Sequence, residues 1–382
     1  MNYLPKLILF FFFFGTIAQA QVQYFPIAGD WKKKDAKDFN INEQLLLQAV
    51  KFAQENEYSE PKDLRLAILK GFEREPFHKI SGPTKERGGP AGIILKDGYI
   101  IAEWGDTKRV DMTFSVTKSF LSTTALLAMD KGLIEEVQDS VKKYVWDGTF
   151  DGAHNGQVTW EHLLNQSSDW SGELWGGFDW ADRPPSTGGL DDWKNRKLNA
   201  PGTVFEYNDV RVNLLAYSLL NVWRKPLPQV LKEEIMDPIG ASTTWRWFGY
   251  ENAWVNIDGL KMQSVTGGGH SGGGLFINTE DMARFGLLFE NDGNWNGNQL
   301  ISKEAIEKAI EPSAPNPNYG YMWWLNKKGS RHWKDLSEDL FYAAGFGGNF
   351  IVIDREKNLV VVTRWLEPSQ IEAFLNKLYL AF

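Results

Sequence analysis

Cysteine is absent from the 382 residues of this chain. That excludes disulfides, thiolate metal sites, a cysteine nucleophile and a lipidated cysteine. Basic blocks are missing too. The formal net charge is −8, so nucleic acid is not an expected partner. The histidines (His78, His154, His162, His270 and His332) show no metal-ligand spacing. None of the glycine runs has the Gly-Lys-Ser/Thr ending of a phosphate loop, and no internal repeat is visible. No cofactor or metal is implied. Beyond the N-terminus, no apolar run approaches the roughly 20 residues that a membrane span needs.

What is present begins with an export signature. Lys6 supplies a positive end, residues 7–17 are almost wholly apolar, and Ala18-Gln19-Ala20 is a small-x-small cleavage site. Residues 1–20 therefore read as a cleaved signal peptide, with an uncleaved anchor as the alternative. Export without disulfides fits a periplasmic or secreted bacterial enzyme large enough to be stable without cross-links.

Along the mature chain, residues 42–57 and 63–72 have the apolar spacing of helices. Two apolar runs, 91–95 and 99–104, flank Lys96-Asp97-Gly98 and predict a β-hairpin. Residues 131–264 differ in texture, being rich in glycine, tryptophan, asparagine and aspartate. Their readable elements are helical, at 159–164, 209–223 and 228–236. After Gly267 come a strand at 271–277, a helix at 279–290 and an aromatic strand at 319–325. A closing hairpin (349–354 and 359–365) and a last helix at 369–380 end the chain. Strands early and late imply one antiparallel sheet flanked by helices, an α/β (α+β) fold. Residues 21–130 and 265–382 would form the sheet domain. Residues 131–264 would form a mostly helical insertion, with a ligand cleft between the two.

Ser115-Val-Thr-Lys118 carries the candidate chemistry. Residues at i and i+3 share a helix face, so the two side chains are neighbours. The apolar run that follows (Phe120, Leu121, Ala125, Leu126, Leu127, Met129) is that of a buried helix stopping at Gly132. Burial disfavours the charged form of an amine, which can then take a proton from a serine hydroxyl too weak to attack unaided. The helix N-terminus adds backbone N–H groups for an oxyanion. A second Ser-x-x-Lys, Ser140 to Lys143, lies in a polar run and cannot desolvate its lysine.

With these residues in order, the sequence resembles the serine hydrolases related to class C β-lactamases, penicillin-binding proteins and 6-aminohexanoate-dimer hydrolases. The likeness runs from about Gly92 to Trp365. Its landmarks are the Ser-x-x-Lys at Ser115, segments 132–141 and 158–168, and Pro201-Gly-Thr-Val-Phe-Glu-Tyr207-Asn-Asp209. Residues 272–285 and Gly345-Phe346-Gly347-Gly348 complete the set. The resemblance implies the β-lactamase/transpeptidase-like fold. It also implies Tyr207 as the third proton-transfer group, since a phenol beside a lysine cation can alternate as base and acid. An oxyanion hole from the backbone N–H groups of Ser115 and Phe346 is implied as well. Gly345 and Gly347 would let substrate approach that strand closely.

Two departures bear on specificity. Tyr207 is followed by Asn208-Asp209 where the family often has Tyr-x-Asn. A carboxylate there would favour charged Lys118 and repel anionic substrates, unless Asp209 simply caps the following helix and points away. The family's Lys-Thr-Gly or His-x-Gly strand motif reads Ala343-Ala344-Gly345, without a cation. In β-lactamases and peptidases that cation helps hold a substrate carboxylate. Lys327-Lys328-Gly329 is a superficial match placed in a loop. His270 lies in a glycine-rich loop that the family places near the cleft. Among the 17 tryptophans, some of Trp170, Trp175 and Trp180 are expected to wall the cleft.

The expectation is an exported serine hydrolase acting on a small ester or amide through an acyl-enzyme on Ser115, with Lys118 and Tyr207 moving protons. Rival readings are a true β-lactamase or D-Ala-D-Ala carboxypeptidase, and a non-catalytic sensor or glycan-binding protein. Oligomeric state is not legible.

Overall fold

A computed structural model describes residues 23–327 and 333–382. The signal-peptide reading, His332 and the Lys328-Gly329 pair lie outside these residues. The main sheet has six strands: β1 (Ala91–Lys96), β2 (Tyr99–Trp104), β3 (Trp324–Leu325), β4 (Phe341–Gly345), β5 (Asn349–Asp354) and β6 (Leu359–Arg364). They lie in the order β3-β4-β5-β6-β1-β2, and every neighbouring pair is antiparallel. The two ends of the chain meet where Ala91 pairs with Arg364 and Lys96 with Leu359. The β1–β2 turn has Asp97 at φ 50° and Gly98 at φ 82°, the left-handed pair of the tightest hairpins.

Successive strand residues face opposite sides of a sheet, and β6 shows why both faces are covered. Leu359 and Val361 join one apolar cluster with α1 (Glu43–Glu55) and α5 (Ile371–Tyr379), through Leu46, Val50, Phe374 and Leu378. Val360 and Val362 face a second, larger cluster built with α2 (Thr117–Asp130) and α4 (Thr279–Glu290). There Phe120 stacks on Phe285 with centroids 3.7 Å apart. Residues 117 to 128 of α2 are buried on all sides, because the central block covers the face turned away from the sheet. This larger cluster runs without a break into the central block through Trp160, Leu164, Leu214 and Leu215. Burying an aliphatic side chain is worth roughly 1.5–3 kcal/mol, so this shared core holds the helix that carries Ser115 tightly.

The central block contains α3 (Asp209–Trp223) and a helix Leu227–Leu231 that continues as a π turn, Lys232–Met236. It also contributes Arg246–Phe248, which pairs with Gly274–Ile277, and a hairpin of Trp254–Ile257 with Leu260–Gln263. The aromatic strand expected at 319–325 is shorter than the sequence suggests. Only Trp324–Leu325 is extended, because Met322 turns at φ 62° and hydrogen-bonds through its N–H to the Leu164 carbonyl. Among the described residues, no helix is long and apolar enough to cross a membrane.

Candidate active site

Ser115 sits in a 3-10 turn, Phe114–Val116, that leads directly into α2. The residue before it, Phe114, holds φ at 50° although it is aromatic and buried. A left-handed conformation costs a non-glycine residue roughly 1–2 kcal/mol, and packing must supply it. Phe346 at 5.1 Å and Trp365 at 6.4 Å, centroid to centroid, grip the Phe114 ring. The end of β4 lies against this turn. A β-carbon on Gly345 would come within 2.2 Å of the Thr113 carbonyl oxygen and 3.2 Å of the Ser115 nitrogen. Only glycine permits that approach.

One turn along α2, the Lys118 ammonium lies 2.8 Å from Ser115 Oγ and 2.6 Å from Asp209 Oδ1. The lysine side chain is 1% exposed, whereas that of Lys143 in the second Ser-x-x-Lys is 46% exposed and paired to Glu135 and Asp139. Burial separates the two copies as their contexts suggest. The Tyr207 ring covers the lysine, its centroid 4.6 Å from Nζ, and the Arg183 guanidinium lies 5.2 Å from the same ring. Trp324 stacks on Tyr207 at 5.8 Å. Among the described residues the Tyr207 hydroxyl makes no hydrogen bond to Ser115 or Lys118. Its ring, not its oxygen, is what meets the ammonium.

Asp209 faces the site. The cap of α3 is Asn208, whose side chain accepts from the Arg211 N–H at 3.1 Å. The Asp209 carboxylate bridges three cations. Besides Lys118, its Oδ2 lies 2.7 Å from Arg183 Nη2 and 3.4 Å from His270 Nδ1. Burial alone would raise its pKa, but Lys118 and then Arg183 outweigh burial and hold it well below the usual carboxylate range. Behind it, Asp182 accepts from the backbone N–H groups of Asp209 and Val210 at the α3 N-terminus. Its other oxygen lies 2.5 Å from Arg183 Nη1. His270 Nε2 meets Glu75 Oε2 at 2.6 Å.

The His270 ring is 7% exposed. Burial opposes its charge and so does Arg183, but Asp182, Asp209 and Glu75 prevail and push its pKa from 6.5 up to about 9. With the folded value raised, protonated His270 contributes its stability in full below about pH 6.5 and loses it as pH rises through about 9. The linked contribution is at most about 3 kcal/mol. An NMR titration of the ring is expected to give a midpoint near 9; a midpoint near 6.5 would show that the carboxylates do not act on it.

Asp182, Asp209 and His270 carry ligand-type atoms within 4.8 Å of one another, as do Glu75, His78 and His270. In the first group Arg183 already meets both Asp182 and Asp209, so those residues form an ion-pair network.

Ser115, Tyr207, Asp209, His270, Gly345, Phe346 and Gly347 all line one cavity of about 550 Å³, with Lys118 buried beneath it. Trp170 does not. It is buried in the larger core, and its indole N–H donates to the Thr149 carbonyl. Trp175 packs on Tyr217 and lines a separate small cavity, while Trp180 stacks on Phe178. The tryptophans that line the cavity are Trp324 and Trp333. Arg183, Asp182 and Glu75 have no sequence signal as site residues, since each comes from an irregular segment and gains meaning only through its ion-pair partners.

A family model described as Beta-lactamase matches residues 104–365. The candidate penicillin-binding protein PbpX of Bacillus subtilis (strain 168) is 24% identical over 270 residues, covering 65% of this chain and 65% of that protein. The match thus spans just under two thirds of that relative. Among solved structures, a candidate 6-aminohexanoate-dimer hydrolase from Bacillus anthracis aligns with a TM-score of 0.57 at 16% identity. That alignment covers 94% of this chain and 88% of the other. A family VIII carboxylesterase aligns at 0.55 and 17% identity, covering 85% and 98%. At these identities the structural likeness shows the shared fold.

Proposed function

The chain belongs to the Beta-lactamase family, a family of serine hydrolases, and from that premise we propose that it cleaves an ester or amide through an acyl-enzyme on Ser115. The observation that carries this reading is the Lys118 ammonium, buried and 2.8 Å from Ser115 Oγ under the Tyr207 ring. Ser115 Oγ forms a bond to the carbonyl carbon, and the N–H groups of Ser115 and Phe346 receive the oxyanion. Lys118 is paired to Asp209, so it acts chiefly as a fixed positive charge beside the nucleophile. Tyr207 is the group that takes up the serine proton. Lys118 and Arg183 lie against that ring and favour electron density building up on it as the proton moves. The proton then passes to the leaving group as its bond to the carbonyl carbon breaks. Water then adds to the acyl carbon and gives a proton to Tyr207. Tyr207 passes it to Ser115 Oγ as the bond from Oγ to the acyl carbon breaks, releasing the acid and restoring Ser115.

The change Ser115→Ala is expected to abolish p-nitrophenyl ester hydrolysis, a loss of about 10³-fold or more. Unchanged turnover would remove the proposal. A lactamase or carboxypeptidase preference is disfavoured by Ala343 at the position of the family's strand cation. Residues 1–20 are proposed as an export signal, placing the enzyme in the periplasm or outside the cell. N-terminal sequencing of the exported chain should begin at Gln21, and an intact Met1 would refute cleavage.

A further inference from the structure

The cavity above Ser115 is polar at one end only. Beyond the nucleophile it runs along the face of β4 toward the start of α5, between Trp324, Trp333, Tyr342, Phe350, Pro368 and Ile371. The register explains the space. Tyr342 and Ala344 lie two apart and so share a face, while Trp324 pairs with Tyr342 and Phe350 pairs with Ala344. A methyl thus stands in the middle of a ring of large side chains, leaving an alcove in place of a packed core. Trp333 closes it by stacking on Tyr342, with centroids 4.2 Å apart. Phe72, Phe114 and Phe346 also line the cavity.

Charge is balanced at the mouth. Lys118 and Arg183 meet Asp209, Arg183 also meets Asp182, and His270 meets Glu75. Lys118 and Arg183 are matched by Asp209 and Asp182, and His270 by Glu75, so among the described residues none is left to hold a substrate anion. The phenol of Tyr58, also in the lining, is pushed up to about 12 by burial, so it too is neutral at pH 7.

We infer that the substrate is an ester or amide bearing a bulky, uncharged apolar group, an aromatic ring or a medium alkyl chain, that fills the alcove along β4. This rests on the serine-hydrolase reading above and specifies its substrate class. A cavity of about 550 Å³ falls within the range of small-molecule sites lined mostly by aromatic side chains around a few fixed polar groups. A ligand carboxylate placed among Trp324, Trp333 and Phe350 would lose its hydration, with no cation among the described residues to replace it.

The test uses the full mature enzyme and two ester series. The first holds p-nitrophenol constant and varies the acyl group through acetate, octanoate and benzoate. The second holds acetate constant and varies the alcohol from ethyl to octyl and benzyl. At least one series is expected to gain about tenfold or more in kcat/KM with the larger apolar group. The series that gains identifies which side of the scissile bond enters the alcove. In whichever series responds, a terminal carboxylate on the varied group is expected to cost about tenfold or more relative to the uncharged ester of equal length. Flat or falling rates in both series, or preference for the carboxylate, would overturn the inference.

Ala344→Phe should fill the alcove and lower the large-to-small rate ratio by about tenfold. Should that variant misfold, Trp333→Ala serves instead and should extend acceptance to longer chains. If no ester is turned over, calorimetric binding of p-nitrophenyl octanoate to Ser115→Ala still decides. Binding tighter than that of the acetate supports the alcove even as the catalytic reading fails, and equal or absent binding sinks it.

Discussion

Replacing Lys118 by methionine is expected to lower kcat/KM for a p-nitrophenyl ester by about a thousandfold, mostly in kcat. Methionine is unbranched and of similar length, so it fills the buried volume without the charge. Ser115 then loses the ammonium at 2.8 Å that lowers the energy of its developing alkoxide, and the Tyr207 ring loses the cation 4.6 Å from its centroid. Stability should suffer less than activity. Asp209 keeps Arg183 at 2.7 Å and His270 at 3.4 Å, so the variant does not strand a buried carboxylate. Steady-state kinetics with a thermal melt separate the two effects. A loss below about tenfold, with the fold intact, would mean that Lys118 is structural.

Gly268→Ala is expected to damage both activity and stability, although it adds one methyl. A β-carbon there would lie 1.9 Å from Asp209 Oδ1 and 2.4 Å from Lys118 Nζ. Both neighbours are buried and paired, so neither can retreat without breaking the other's contact. Disrupting a buried ion pair costs about 3–5 kcal/mol. Displacing a reacting group by about 1 Å can cost about a hundredfold in rate. Gly89→Ala is the matched control, since nothing lies within 4 Å of the position its methyl would take. Equal melting temperatures for the two variants would contradict the crowding described here.

The parts of the fold legible in the sequence are those with local signatures. Asp97-Gly98 between two apolar runs marks the β1–β2 hairpin, and α3 covers 209–223 as its spacing predicts. The hairpin formed by Trp254–Ile257 and Leu260–Gln263 carries the same Asp-Gly signal at Asp258 and Gly259. It was legible in principle, but Val255 and Ile257 are too short an apolar alternation to stand out in a polar block. Context separated Ser115 from Ser140, because desolvation of the partner lysine is a property of the whole following helix.

The charge network was not legible. Asp182 and Arg183 lie between Trp180 and Pro184-Pro185 with no periodicity, and Glu75 is far away in the chain. Only tertiary structure shows that they fix Asp209. Tryptophan identity likewise does not tell core from cavity. Trp170 is buried because Thr149 offers its indole a carbonyl and the apolar core takes its ring. Trp333 lines the cavity while it stacks on Tyr342.

The central claim, that Ser115 becomes acylated, is tested most directly by rapid acid quench of enzyme with p-nitrophenyl octanoate, followed by peptide mapping in a mass spectrometer. The account predicts one added octanoyl group on the peptide containing Ser115, lost with time and absent in Ser115→Ala. An octanoyl group on any other residue, or turnover without a covalent adduct at any quench time in Tyr207→Phe as well as the native enzyme, would contradict it.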